Sequence, residues 1–121
     1  MKKISLLLIL LMGLAACSSG AQVTKISAKD AKEMMDSEEV IIVDVRTLEE
    51  YNEGHIENAI LIPNESITSA PQELSDKDAT ILVYCRSGNR SADASKKLVD
   101  LGYTNIYDFG GIIDWPYAIV K

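Results

Sequence analysis

One histidine and two cysteines in 121 residues are too few soft ligands for a cysteine zinc site, so no metal or other cofactor is expected. Positive charge is also scarce: 12 basic residues stand against 18 acidic ones, a formal −6, which argues against nucleic-acid binding and against a polybasic membrane patch. There is no internal repeat, and the length leaves no room for a second hydrophobic core, so one domain is expected. Nor is any apolar run long enough to cross a bilayer as a mature helix, which takes about 20 residues.

The longest apolar run, Ile4 to Leu14, follows Lys2 and Lys3 and leads into Leu14-Ala15-Ala16-Cys17. A basic start, an apolar middle and small residues at the end are the order of a secretory signal peptide. The Leu-Ala-Ala-Cys run resembles the lipobox of bacterial lipoproteins. That resemblance implies cleavage before Cys17, lipidation of its sulfur, and an exported protein anchored to a bacterial membrane, facing the periplasm from the outer membrane if the cell has two. Residues 1–16 are therefore expected to be a signal peptide and 17–24 a lipidated N-terminus and tether, with the folded domain over 25–121. Loss of Lys2 and Lys3 takes the basic residues from 12 to 10 against 18 acidic ones, a formal −8. Arg86 and Arg90 then form a small basic island on an acidic body. With Cys17 blocked by lipid, Cys85 has no disulfide partner in the chain.

Apolar patterning divides the rest. Ser27 can cap a helix from Ala28 that sets Ala31, Met34 and Met35 on one side. Val40 to Val45 is a β-branched run broken only by Asp44, the pattern of a strand covered on both faces. Leu48 to Glu53 reads as a short helix stopped by Gly54, and Ala59 to Ile62 as a strand closed by Pro63. Asn64 to Asp78 is irregular, with one helical turn at Pro71-Gln72-Glu73-Leu74. Thr80 to Tyr84 is the next strand, Ser91 to Leu101 a helix with Ala94, Leu98 and Leu101 on one face, and Asn105 to Asp108 the last strand. Strands alternating with helices predict an α/β fold with a mainly parallel central sheet flanked by helices.

The chemistry is expected in the loop Tyr84-Cys85-Arg86-Ser87-Gly88-Asn89-Arg90-Ser91. A thiol leaving a buried strand, followed by two arginines, a glycine and a helix start, is an arrangement that stabilises anions. A buried structural cysteine is the commoner fate of a free thiol, but not in this company. Sulfur transfer, phosphate-ester hydrolysis and thiol redox exchange are the candidate chemistries. A redox dithiol needs a second cysteine. Cysteine phosphatases place five residues between cysteine and arginine; here four separate Cys85 from Arg90, a tighter cradle suited to a single sulfur atom.

Three segments in order resemble the rhodanese superfamily. They are Asp44-Val45-Arg46 with Glu50-Tyr51, Gly54-His55-Ile56, Ala59, Ile62 and Pro63; then Cys85 to Ser91; then Gly110-Gly111 with Trp115. The resemblance implies the rhodanese-like three-layer fold and transfer of a sulfane sulfur through a persulfide on Cys85. The donor would be a small sulfur anion such as thiosulfate or polysulfide. The acceptor would be a thiophilic molecule, or an envelope protein acting as sulfur acceptor. Carried over to matching positions, Arg86, Ser87, Gly88, Asn89, Arg90 and Ser91 would bind the donor. The two guanidiniums would help to stabilise a departing sulfite. Asp44, Arg46 and His55 are expected to support the fold around the site, Asp44 and Arg46 through hydrogen bonds or an ion pair with Glu50 or Glu53. Tyr51 and Trp115 are expected in the core, and Glu49, Glu50, Glu53 and Glu57 on a solvated face. Asn58 replaces a family glycine at a turn, and the segment after Trp115 departs from the family ending. The alternative to a turning-over enzyme is a binding or relay module that exchanges persulfide with one partner.

Overall fold

A computed structural model describes residues 21–121. The signal peptide and Cys17 lie outside the described residues. Among the described residues five strands and three helices alternate: β1 (Thr24–Lys25), α1 (Ala28–Ser37), β2 (Ile41–Asp44), α2 (Leu48–Glu53), β3 (Ile60–Leu61), β4 (Thr80–Cys85), α3 (Asn89–Asp100) and β5 (Asn105–Gly111). Short 3-10 turns at Asn64–Ser66 and Ile112–Asp114 complete the order. The strands form one parallel sheet in the order β1-β5-β4-β2-β3, which places β4 at its centre. The α/β fold expected from the alternation is the one observed. β1 is an addition: two exposed residues carry no strand pattern, and pairing with Tyr107 and Asp108 of β5 defines them.

Side-chain alternation along β4 explains how the sheet is covered. Ile81, Val83 and Cys85 face the layer that holds Ala94 and Leu98 of α3 together with Val43, Val45 and Ile106. Leu82 and Tyr84 face the other layer, with Ala31 of α1, Ile42, Ile56, Phe109 and Trp115. Successive strand residues point to opposite faces, so a run apolar at every position is stable only when both faces are packed. Met34 and Met35 pack on the second layer as the helical spacing predicts.

Caps and turns fix the connections. Ser27 Oγ accepts the Asp30 N–H at 3.0 Å at the start of α1. Thr47 and Glu50 form a reciprocal capping box on α2. The expected helical turn at Pro71 is a hydrogen-bonded turn, Leu74 N–H to Pro71 O at 3.0 Å, that buries Leu74. Asn58 is the only non-glycine residue with positive φ (71°) among those described, as its place at a glycine turn suggests. The terminal segment is tied down: Val120 and His55 exchange two backbone hydrogen bonds of 2.8 Å.

Candidate active site

The sheet delivers Cys85 to the carboxyl end of its central strand, where open α/β sheets carry their reactive loops. The β4–β5 register slips there: Val83 pairs with Asp108, but Cys85 pairs with Gly111. The extra β5 residue forms a bulge held by Asp108, whose Oδ1 accepts the Gly110 N–H at 3.0 Å. It brings the Gly110-Gly111 backbone under the loop. A Cβ on Gly111 would overlap the Arg86 carbonyl and lie 2.7 Å from Ser87 Cα, so this contact admits only glycine. The Ile113 N–H adds a hydrogen bond to Arg86 O at 3.2 Å.

Gly88 turns the loop into the helix. With φ of 110° it takes a left-handed conformation at the N-cap, and its N–H donates to Cys85 Sγ at 3.0 Å. Having no side chain, it leaves the first amides of α3 uncapped on the loop side, the positive end of the helix. The helix therefore starts at Asn89, two residues before the sequence-based expectation, and takes Arg90 and Ser91 into its first turn. Ser91 is buried and its Oγ donates to Gly88 O at 3.1 Å, so its hydroxyl braces the loop. Cys85 is only 1% exposed, whereas Arg86, Ser87 and Asn89 are exposed around it.

The two arginines differ. Arg86 makes no salt bridge among the described residues. Arg90 is clamped by Glu50 of α2, through Nη1 to Oε1 at 2.7 Å and Nη2 to Oε2 at 3.0 Å. The Arg90 hydrogen bonds are the main reason the Glu50 carboxyl is pulled down to about 2, against the cost of its partial burial. Arg90 is raised in turn, chiefly by those same bonds. Glu50 is thus not part of a solvated acidic face. Its neighbours Glu49, Glu53 and Glu57 are exposed, but it reaches inward to the loop.

A buried polar network lies behind the thiol. Asp44 is fully buried and accepts from Arg46 Nε at 3.0 Å and Nη2 at 2.8 Å, and from the Tyr84 hydroxyl at 2.7 Å. Arg46 also donates to Gly54 O at 2.7 Å. Its partner is therefore Asp44 itself and neither Glu50 nor Glu53. Burial works against the Arg46 charge, but the bonds and charge of Asp44 outweigh it and raise its pKa. Burial chiefly raises the Tyr84 pKa, with the neighbouring Asp44 charge adding to it. His55 stacks on Tyr51 with centroids 3.7 Å apart and donates through Nδ1 to Tyr51 O at 2.9 Å; none of these partners belongs to the loop.

Sequence reasoning placed Tyr84 in the loop and Glu50 beside Arg46 but missed their actual partners, Asp44 and Arg90, and it missed Asn64 as part of the site's frame. Asn64 donates to Asp93 at 3.0 Å and accepts from Lys97, tying the first 3-10 turn to α3. The Thr47-x-x-Glu50 spacing was a visible capping signal, but nothing local pointed to partners 28 to 40 residues away. A shallow cavity of about 310 Å³ beside the loop is lined by Lys25, Ser87, Gly88, Asn89 and Gly110. The larger cleft, about 970 Å³, includes Val40, Ile41 and Thr80 at the amino ends of β2 and β4, the other end of the sheet from Cys85.

The model of the rhodanese-like domain family matches residues 27–116. A sulfurtransferase of Allochromatium vinosum is 37% identical over 86 residues, 70% of this chain and 79% of that protein. The tRNA uridine(34) hydroxylase of Photorhabdus laumondii is 35% identical over 96 residues, 74% of this chain; the chain spans only 27% of that relative's length. Among solved structures, a rhodanese from E. coli determined with anions superposes with a TM-score of 0.64 at 33% identity, over 69% of this chain and 99% of that one.

Proposed function

The chain belongs to the rhodanese-like domain family, and on that premise we propose that it is a sulfurtransferase carrying sulfane sulfur on Cys85. The observation that carries this reading is the Gly88 N–H donated to Cys85 Sγ at 3.0 Å, at a helix entrance on a loop with four residues between Cys85 and Arg90. The likeness to the Allochromatium sulfurtransferase supports it. In the first half-reaction the Cys85 thiolate attacks the outer sulfur of thiosulfate, or of another sulfane donor. A new S–S bond forms, the donor's S–S bond breaks, and sulfite leaves with the electron pair. In the second half-reaction a thiophilic acceptor takes the outer sulfur and returns the thiolate. The loop amides and Arg86 stabilise the negative charge on the reacting sulfur and the leaving group.

Thiosulfate with cyanide should yield thiocyanate, and Cys85→Ser should abolish it. Incubation with donor alone should add one sulfur atom to the protein mass. Failure of both across several sulfane donors sinks the proposal.

A second reading, a relay that exchanges persulfide with one protein partner, is favoured by the match to only 27% of the length of a longer relative, the tRNA uridine(34) hydroxylase. Poor turnover of small donors together with fast sulfur exchange to a co-purifying protein would select it. We further propose export and lipid anchorage through Cys17, supported by the Lys2-Lys3, Ile4 to Leu14 and Leu14-Ala15-Ala16-Cys17 sequence. Radiolabelled palmitate should enter the wild type and not Cys17→Ala.

A further inference from the structure

We propose that Glu50 sets the donor preference of this site by neutralising Arg90, biasing Cys85 toward persulfides of low charge and away from dianionic thiosulfate. The inference rests on the sulfurtransferase reading and names the substrate class within it.

Two arginines beside a sulfur nucleophile suggest a doubly cationic cradle suited to a dianion. The geometry says otherwise. Each terminal nitrogen of Arg90 donates one hydrogen bond to a Glu50 oxygen, at 2.7 and 3.0 Å, so a carboxylate charge sits directly on the guanidinium although three of its five N–H groups stay free among the described residues. Glu50 is held in place independently, since Oε1 also accepts the Thr47 N–H and hydroxyl at 3.1 Å each. Its carboxylate is thus fixed by α2 whether or not a donor is present, and a donor that approaches Arg90 meets a preformed bidentate pair whose net charge is near zero. Glu65 adds a weaker negative field at Arg90, and the same guanidinium is near enough to feel charge on Cys85. What remains as free positive charge on the loop is Arg86, exposed and unpaired among the described residues.

The loop's side chains therefore present a net charge near +1, not +2. A thiolate meeting thiosulfate brings three negative charges together, and sulfite carries two of them away. A thiolate meeting the persulfide of an uncharged thiol brings one or two. There the S–S bond breaks, the outer sulfur passes to Cys85, and the thiolate of the donor leaves with the electron pair. Attraction to the loop scales with donor charge, so removing one positive charge penalises the dianion more.

The test is a charge ladder read as the ratio of kcat/KM for thiosulfate to kcat/KM for the persulfide of 2-mercaptoethanol. Arg90→Gln leaves Glu50 uncompensated and lowers the loop charge by one. Glu50→Gln frees Arg90 and raises it by one. The double variant Glu50→Gln/Arg90→Gln returns it to the wild-type value. The ratio should rise in the order Arg90→Gln, then wild type with the double variant, then Glu50→Gln. Each step is on the order of three- to tenfold at low salt and shrinks with added salt. If the ratio is flat across the four proteins while rates fall together, Glu50 only holds the loop in shape and the inference is overturned. If the double variant fails to return toward the wild-type ratio, charge is not the cause. Mass spectrometry of the wild type distinguishes a wrong donor preference from a wrong activity: no sulfur loaded from either donor defeats the sulfurtransferase reading itself.

Discussion

The Tyr84 hydroxyl bridges two elements: it donates to Asp44 Oδ2 at 2.7 Å and accepts the Ile56 N–H at 3.1 Å. Tyr84 and Asp44 are register partners on adjacent strands, and Tyr84 is the residue before the nucleophile. Tyr84→Phe keeps the ring packed on Phe109 but leaves a buried amide without its acceptor. A loss of about 1–3 kcal/mol is expected. A urea titration should show a lower midpoint with unchanged slope.

Removing Asp44 should cost more. Asp44→Ala strands the Arg46 guanidinium, 6% exposed, with Gly54 O as its remaining partner. Breaking a buried pair from one side costs about 3–5 kcal/mol. The double replacement Asp44→Ala/Arg46→Met should recover part of that loss. A double variant no more stable than the single one would show that the pair matters through something other than uncompensated charge.

Gly111→Ala should damage the chemistry more than the fold. The added methyl drives the Arg86-Ser87 backbone away from β5, and with it the Gly88 amide that meets the sulfur. Displacing reacting groups by about 1 Å can cost on the order of a hundredfold in rate. Sulfur loading of Cys85 should fall by that order while the circular dichroism of the sheet and helices is retained.

The Arg90–Glu50 pair should fade only in strong acid. Its carboxyl titrates at about 2 in the folded protein against an ordinary 4.5. The folded value is depressed, so the pair's stabilisation is complete above the ordinary carboxylate range and is lost as pH falls through the window from 4.5 to about 2. The stability gap between wild type and Glu50→Gln should therefore be constant near neutrality and close toward pH 2. A gap that closes above pH 5 would contradict the pairing.

Ending the chain at Tyr117 removes both 2.8 Å hydrogen bonds between Val120 and His55 and the Ala118 carbonyl that accepts Trp115 Nε1. A loss of about 1–3 kcal/mol is expected, with Cys85 reactivity intact. Thermal unfolding and donor loading of the shortened chain check the two halves of that statement.

The sheet was legible in the sequence because β2 is apolar from Ile41 to Val43 and β4 from Ile81 to Cys85, a pattern that only a two-sided core tolerates. The loop was legible because Cys85, Gly88 and the helix behind it are contiguous. What escaped is what depends on separation along the chain. Arg90 looks like a free cation until the fold brings Glu50, forty residues away, against it. Gly110-Gly111 could be matched to a family segment, yet the steric reason for Gly111 appears only when β5 is laid beneath Arg86. β1 is two exposed residues long and is defined by its partner alone.

The contact between Gly111 and the Arg86-Ser87 backbone joins main chain to main chain, so no loop side chain is needed to make it. The mould around the sulfur and the face it turns to visitors are therefore separable. Exchanging the exposed side chains of Arg86, Ser87 and Asn89 should retune which molecules dock while the mould keeps its form. This domain is on that account a favourable starting point for building sulfur carriers with chosen donors.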